Sequence, residues 1–145
     1  MYNIRETNDY GKLSAFYAEN GLEIDVSDKA PEGTLKNWEC LDGETGQFLG
    51  AATLQKRDGC YVFADLAVTE KLRGTGIGKA LCRIIENAAK NMGAKEIWGC
   101  AKVPEFYKKY GWIVIDRNDA PDISRCLNCD DFGVTCHPSI MKKVF

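Results

Sequence analysis

Tyr61-Val62-Phe63-Ala64-Asp65-Leu66-Ala67-Val68 runs through the link Thr69-Glu70-Lys71-Leu72 into Arg73-Gly74-Thr75-Gly76-Ile77-Gly78-Lys79. The first eight residues, rich in β-branched and aromatic side chains, read as a strand ending in Leu66-Ala67-Val68. The last seven open a helix over 76–92. Ile77, Ala80, Leu81, Ile84, Ile85, Ala88, Ala89 and Met92 recur at three- and four-residue spacing as one apolar stripe. Lys79, Arg83, Glu86, Asn87, Lys90 and Asn91 fall on the other side, and Gly93 stands where a left-handed C-terminal cap belongs. Glycines at alternate positions in the turn present backbone N–H groups at a helix N-terminus, where unpaired donors and the dipole favour an anion. Phosphate is the expected anion, and a phosphorylated cofactor the expected ligand.

Two common phosphate motifs do not fit. The dinucleotide fingerprint requires glycine three residues after its second glycine, and from Gly76 that position is Lys79. The P-loop requires glycine five residues before its Gly-Lys pair, and from Gly78 that position is Arg73. It also requires Ser or Thr after the lysine, where this chain has Ala80. What remains is Arg-x-x-Gly-x-Gly, carried by Arg73, Gly76 and Gly78. With this motif the sequence resembles the GNAT N-acetyltransferase superfamily, whose acetyl-CoA loop is Arg/Gln-x-x-Gly-x-Gly/Ala between a central strand and a helix. A second segment, Phe106-Tyr107-Lys108-Lys109-Tyr110-Gly111-Trp112, is similar to that family's Phe-Tyr-x-x-x-Gly-Phe segment after the next strand. The resemblance covers residues 46–115 well, and residues 1–45 in their order of elements.

At 145 residues the chain is long enough for one domain, 1–145, with a packed core, and has no apolar run long enough to span a membrane. The start, Met1-Tyr2-Asn3-Ile4-Arg5-Glu6, reads as a polar strand and not as a signal peptide. A net charge of −2 without a long basic run supplies no footprint for nucleic acid. Seven cysteines without a secretory signal point to free thiols in a reducing cytoplasm. The resemblance implies acetyl-CoA and an amine acceptor as partners, composition adds neither nucleic acid nor membrane, and the chain is expected to be a monomer or homodimer.

Along the chain, residues 2–6 read as a strand, 10–20 as an amphipathic helix closed by Gly21, and 25–34 as a loop. Residues 38–41 and 48–54 form a hairpin around Asp42-Gly43-Glu44-Thr45-Gly46, and Lys56-Arg57-Asp58-Gly59 turns into the strand 60–68. After the helix, 96–100 reads as a strand parallel to its predecessor. Pro104 opens a short helix ending near Tyr110, with Gly111 as its cap. Residues 112–115 form a strand, 116–138 a long cysteine-rich irregular segment, and 140–145 a closing strand. The fold class is α+β. The resemblance implies a mixed, mostly antiparallel sheet of about seven strands flanked by helices and splayed between its fourth and fifth strands.

Acetyl transfer from a thioester to an amine makes three demands. A diphosphate must be anchored, for which the N–H groups of Gly74, Thr75, Gly76, Ile77, Gly78 and Lys79 serve, with Arg73 for charge-assisted contacts. The thioester must be aimed, and the resemblance assigns that to the backbone of Leu66, Ala67 and Val68, where the splayed strand pairs with the pantetheine arm. Such a splay often carries a β-bulge. Protons must also move, because an alkylamine with a pKa of about 10 is mostly ammonium at neutral pH, and a thiol of pKa about 8.5 leaves more easily when protonated. Tyr107 matches the family tyrosine that serves as the acid and contacts the cofactor. It also reads as a core aromatic whose hydroxyl reaches a backbone partner. Asp65, the carboxylate inside the central strand, is a candidate base or a hydrogen-bonded structural residue. Alternation places it on one face with Phe63 and Ala67. Glu39, on an earlier strand, is a second candidate base. The Asn that many relatives carry upstream of the tyrosine is absent, and Cys100 and Ala101 stand in that region.

Cys126-Leu127-Asn128-Cys129 and Cys136-His137 form a possible four-ligand zinc set, Cys126, Cys129, Cys136 and His137. A redox Cys-x-x-Cys pair and plain buried thiols are the alternatives. The functional expectation is an acetyl-CoA-dependent N-acetyltransferase acting by direct transfer on a primary amine of a small molecule, peptide or protein. The alternative is a non-catalytic sensor of acyl-CoA or zinc that signals through the cysteine-rich tail.

Overall fold

The computed structural model describes residues 1–22, 24–101, 104–121, 123 and 139–145. The elements follow in the order β1 (Tyr2–Glu6), α1 (Tyr10–Glu19), β2 (Thr34–Asp42), β3 (Phe48–Arg57), β4 (Cys60–Val68), α2 (Ile77–Asn91), β5 (Glu96–Ala101), α3 (Pro104–Lys108), β6 (Ile113–Ile115) and β7 (Ser139–Val144). The strands form one seven-stranded sheet in the order β1-β2-β3-β4-β5-β7-β6. Every adjacent pair is antiparallel except β4–β5, which is parallel. This is the expected α+β mixed sheet. The closing strand β7 inserts between β5 and β6, an order that local sequence pattern does not encode.

Strands β2, β3 and β4 form a meander because tight turns join them, while β1 reaches the outer edge of β2 by way of α1. Asp58 and Gly59 both take positive φ, +50° and +75°, and make the tight turn between β3 and β4. Asp42 accepts from the N–H groups of Glu44 and Thr45 and closes the turn between β2 and β3. The α2 crossover then makes β5 parallel to β4.

Residues opposed across an antiparallel pair share a face, so the register of β3 sorts the core. Ala52 and Leu54 point toward α2 with Phe63, Val68, Leu81, Ile85, Ile97 and Met141. Ala51 and Ala67 point the other way and pack with Tyr10, Leu13, Phe16 and Tyr17 of α1. Beyond α1 that second face continues under Val62, Trp98, Ile140 and Ile123. Helix α2 rolls on the sheet toward Cys82 and Glu86, which are both buried. Glu86 therefore leaves the polar side on which its spacing placed it, because Lys143 of β7 meets its carboxylate at 2.5 Å. A buried carboxylate is tolerable only when paired in this way.

The α1 side holds a buried polar chain. Thr53 donates to Asn37 Oδ1 at 2.9 Å, and Tyr17 Oη lies 2.7 Å from Thr53 Oγ1. Since Thr53 has one proton and Asn37 takes it, Tyr17 is the donor to Thr53. Tyr17→Phe removes that donor while leaving the packing in place. It is expected to cost about 1–2 kcal/mol in urea unfolding with an unchanged m-value, and a variant as stable as the parent would contradict this direction of bonding.

Candidate active site

The link after β4 first coils into a 3₁₀ turn, Glu70–Leu72. Its N–H groups are consumed locally: Leu72 donates to Thr69 O, Arg73 to Glu70 O and Thr75 to Leu72 O. Gly74 and Gly76 then take φ of +84° and +98°, a backbone state that L side chains rarely adopt. Gly76 is the N-cap of α2, and no side chain caps the helix there. Among the described residues, no backbone acceptor takes the N–H of Gly74, Gly76, Ile77, Gly78 or Lys79. Residues 73–76 and Lys79 are exposed, so these donors form an open anion cradle. Arg73 Nε donates to Val68 O at 3.1 Å and ties the turn to the end of β4. Its remaining guanidinium donors are the ones a diphosphate would use.

Strands β4 and β5 pair only at Val62↔Trp98 and Phe63↔Gly99. Each stays registered on its outer side, β4 with β3 as far as Val68 and β5 with β7 as far as Ala101. The two halves of the sheet therefore separate beyond residue 63. The cause lies in β4: Leu54 opposes Phe63 while Thr53 opposes Asp65, so Ala64 is an extra residue in a β-bulge. The bulge also corrects the expected placement of Asp65. Asp65 shares its face with Ala67, on the α1 side, but Phe63 points to the α2 side.

A small residue in the first turn of α2 lets the second motif close on the first. A Cβ on Gly78 would lie 3.4 Å from Phe106 Cζ, so the small residue permits α3 to pack on the first turn of α2. Lys79 Nζ sits 5.9 Å from the centre of the Tyr110 ring. Behind this contact, three rings brace one another edge-to-face at the closed end of the gap. Tyr107 lies 5.8 Å from Phe63 and 5.6 Å from Trp112, and Phe63 lies 6.1 Å from Trp112. Phe63, Gly99, Cys100, Ala101, Tyr107, Trp112 and Met141 line a small pocket there. Burial, then Cys82, then Asp65 push the Tyr107 hydroxyl well above its ordinary value of 10.0. Asp65 also raises Tyr17, so its carboxylate acts on a tyrosine from each side of the sheet.

The model of the GNAT acetyltransferase domain matches residues 38–114, more than half of the chain. The chain belongs to the GNAT acetyltransferase family. Solved structures of the same fold include a GNAT-family acetyltransferase from Staphylococcus aureus, with 20% identity, 99% of both chains covered and a TM-score of 0.70. The ribosomal-protein-S18-alanine N-acetyltransferase of Escherichia coli is 17% identical over 99% of this chain and 94% of its own, with a TM-score of 0.69. A Mycobacterium tuberculosis protein solved in complex with CoA is 14% identical over 99% of both chains, with a TM-score of 0.73. A search of curated proteins finds no significant match.

Within this GNAT fold, Leu66, Ala67 and Val68 border the gap, and Gly74, Gly76, Ile77, Gly78 and Lys79 form the cradle at its mouth; the Thr75 N–H, expected to serve there, is taken by Leu72 O instead. Tyr107 stands over its closed end. Glu39 is not brought to this place. It pairs with Arg5 at 3.5 Å, and two strand spacings, about 10 Å, separate it from β4. Cys126, Cys129, Cys136 and His137 lie outside the described residues. Among the described residues, no group of three or more His, Cys, Asp or Glu is placed to hold a metal. Sequence reasoning missed Cys82 and Met141, for which no local signal exists. It also missed Gly99, whose position inside a strand is a sign of close approach.

Burial raises the Cys40 thiol from 9.0 to about 11 and the Cys82 thiol to about 12. Since the thiolate is the nucleophile, neither should be alkylated in the folded protein at pH 8. Peptide mass spectrometry with and without denaturant checks this, and labelling of native Cys82 at the rate of a free thiol would contradict it. The same shifts set a sign for stability. A folded pKa above the unfolded one gives a contribution that is complete below pH 9 and disappears as the pH climbs toward 12. Urea midpoints should therefore fall across that window.

Proposed function

We propose that this GNAT chain moves an acetyl group from acetyl-CoA directly to a primary amine, with Tyr107 assisting departure of the thiol. The observation that carries the reading is the position of Tyr107 at the closed end of the β4–β5 gap, one helix away from an exposed anion cradle. The cradle suits the diphosphate of coenzyme A, because the N–H groups of Gly76, Ile77, Gly78 and Lys79 at the helix N-terminus oppose its negative charge. The gap suits the pantetheine arm, since β4 is not registered with β5 beyond Phe63 and an extended arm can run alongside it there.

The thioester supplies an activated acyl carbon. What remains for the chain is to remove a proton from the ammonium and to stabilise the sulfur as the C–S bond breaks and the C–N bond forms. In this reading Asp65, on the α1 side of the bulge, receives the ammonium proton or orients a water that does. Tyr107 keeps its proton throughout the neutral range because burial disfavours the tyrosinate. Its pKa lies above the thiol's, about 8.5, so complete transfer to sulfur is uphill. Tyr107 thus acts chiefly as a hydrogen-bond donor to the sulfur as charge develops, and solvent completes the protonation.

Calorimetric titration with acetyl-CoA and a thiol-release assay over a panel of amines test this reading. Binding together with thiol release is expected, whereas no binding at high micromolar cofactor would overturn it. Binding without turnover on any amine would favour the sensor function. Tyr107→Phe should lower kcat by about 10²–10³-fold, a larger loss than any in acetyl-CoA affinity. An unaltered kcat would remove the tyrosine from the chemistry.

A further inference from the structure

The pocket at the closed end of the gap has a cavity volume of about 10 Å³, roughly the room that holds one water molecule. Its position is distinctive. Phe63 and Gly99 form the last pair before β4 and β5 diverge. Gly99 is registered on its other side with Met141, and Tyr107 stands over the same space. Any thioester whose sulfur comes within reach of Tyr107 has its acyl group directed at this end of the gap, because the arm enters from the other end.

We infer that the pocket is a gauge of acyl length: Phe63, Gly99, Trp112 and Met141 admit the methyl of an acetyl group and exclude longer chains. The inference rests on the acetyl-CoA reading above.

Two features make the limit firm, and a third marks where it can be relaxed. Two of the walls, Phe63 and Trp112, are almost wholly buried and are braced against each other and Tyr107 by edge-to-face contacts. Swinging one ring aside would disturb the other two, and close-packed interiors resist such shifts. The third wall is backbone. A Cβ on Gly99 would already lie 3.5 Å from Trp112 Cζ3 and 3.6 Å from Phe63 O, so that side has room for one methyl group and no more. The fourth is Met141, 1% exposed and packed in the main core. It is the one wall with a flexible, unbranched side chain, and hence the one where truncation would open space.

An extra methylene in a fitted apolar pocket changes discrimination by roughly 10–200-fold. Calorimetric titration with CoA, acetyl-CoA, propionyl-CoA and butyryl-CoA tests this without requiring knowledge of the acceptor. Acetyl-CoA should bind at least as tightly as CoA, propionyl-CoA at least about tenfold more weakly than acetyl-CoA, and butyryl-CoA more weakly again. Met141→Ala should bring propionyl-CoA to within about threefold of acetyl-CoA. Gly99→Ala, whose new methyl group meets only ordinary contact distances, should weaken acetyl-CoA relative to CoA and leave CoA itself unchanged. Equal affinity of the parent protein for all three acyl thioesters would overturn the gauge while leaving the cofactor reading intact. So would a folded Met141→Ala whose preference matches the parent's. If none of the four ligands binds, the cofactor reading fails and the gauge with it.

Discussion

The extra residue at Ala64 is the constraint on which the rest of the site depends. One strand of a regular antiparallel pair is bent by it, and β4 leaves β5 after only two registered pairs. A sheet broken in its middle would ordinarily leave exposed edges. Here each half is secured by its own outer partners, β3 behind β4 and β7 behind β5. The gap is therefore a fixed feature of the backbone, lined by polar groups that no strand satisfies, and an extended ligand arm can take the place of the missing strand.

Around that gap the molecule divides its labour by face. The α2 side carries the anion cradle, the aromatic brace and the small apolar pocket. The α1 side carries Asp65 and the Tyr17–Thr53–Asn37 hydrogen-bond chain. Asp65 raises the pKa of a tyrosine on each face, though burial is the larger cause for both.

The cradle was legible from residue types alone. Glycines at 74, 76 and 78 before an amphipathic helix have few other physical uses, and the strand, turn and helix around them follow from alternation, Asp58-Gly59 and 3.6-residue periodicity. The Phe106–Trp112 segment was legible only through its family resemblance, since nothing in its spacing demands that it touch Gly78. Long-range partners were not legible. β7 inserts between β5 and β6 although 139–144 follows both in sequence, and Glu86 is buried because Lys143 arrives from that distant strand. The face of Asp65 was misread for a sharper reason: a single bulged residue inverts the alternation after it, and an alanine in a strand carries no mark of being the bulge.

The most direct measurement is the crystal structure of the protein grown with acetyl-CoA. The account requires the diphosphate within hydrogen-bond distance of the N–H groups of Gly76, Ile77, Gly78 and Lys79. It also requires the pantetheine arm alongside Leu66–Val68 and the thioester beside Tyr107. A cofactor seated elsewhere, or β4 and β5 zipped together past Phe63 with the arm outside the sheet, would contradict it.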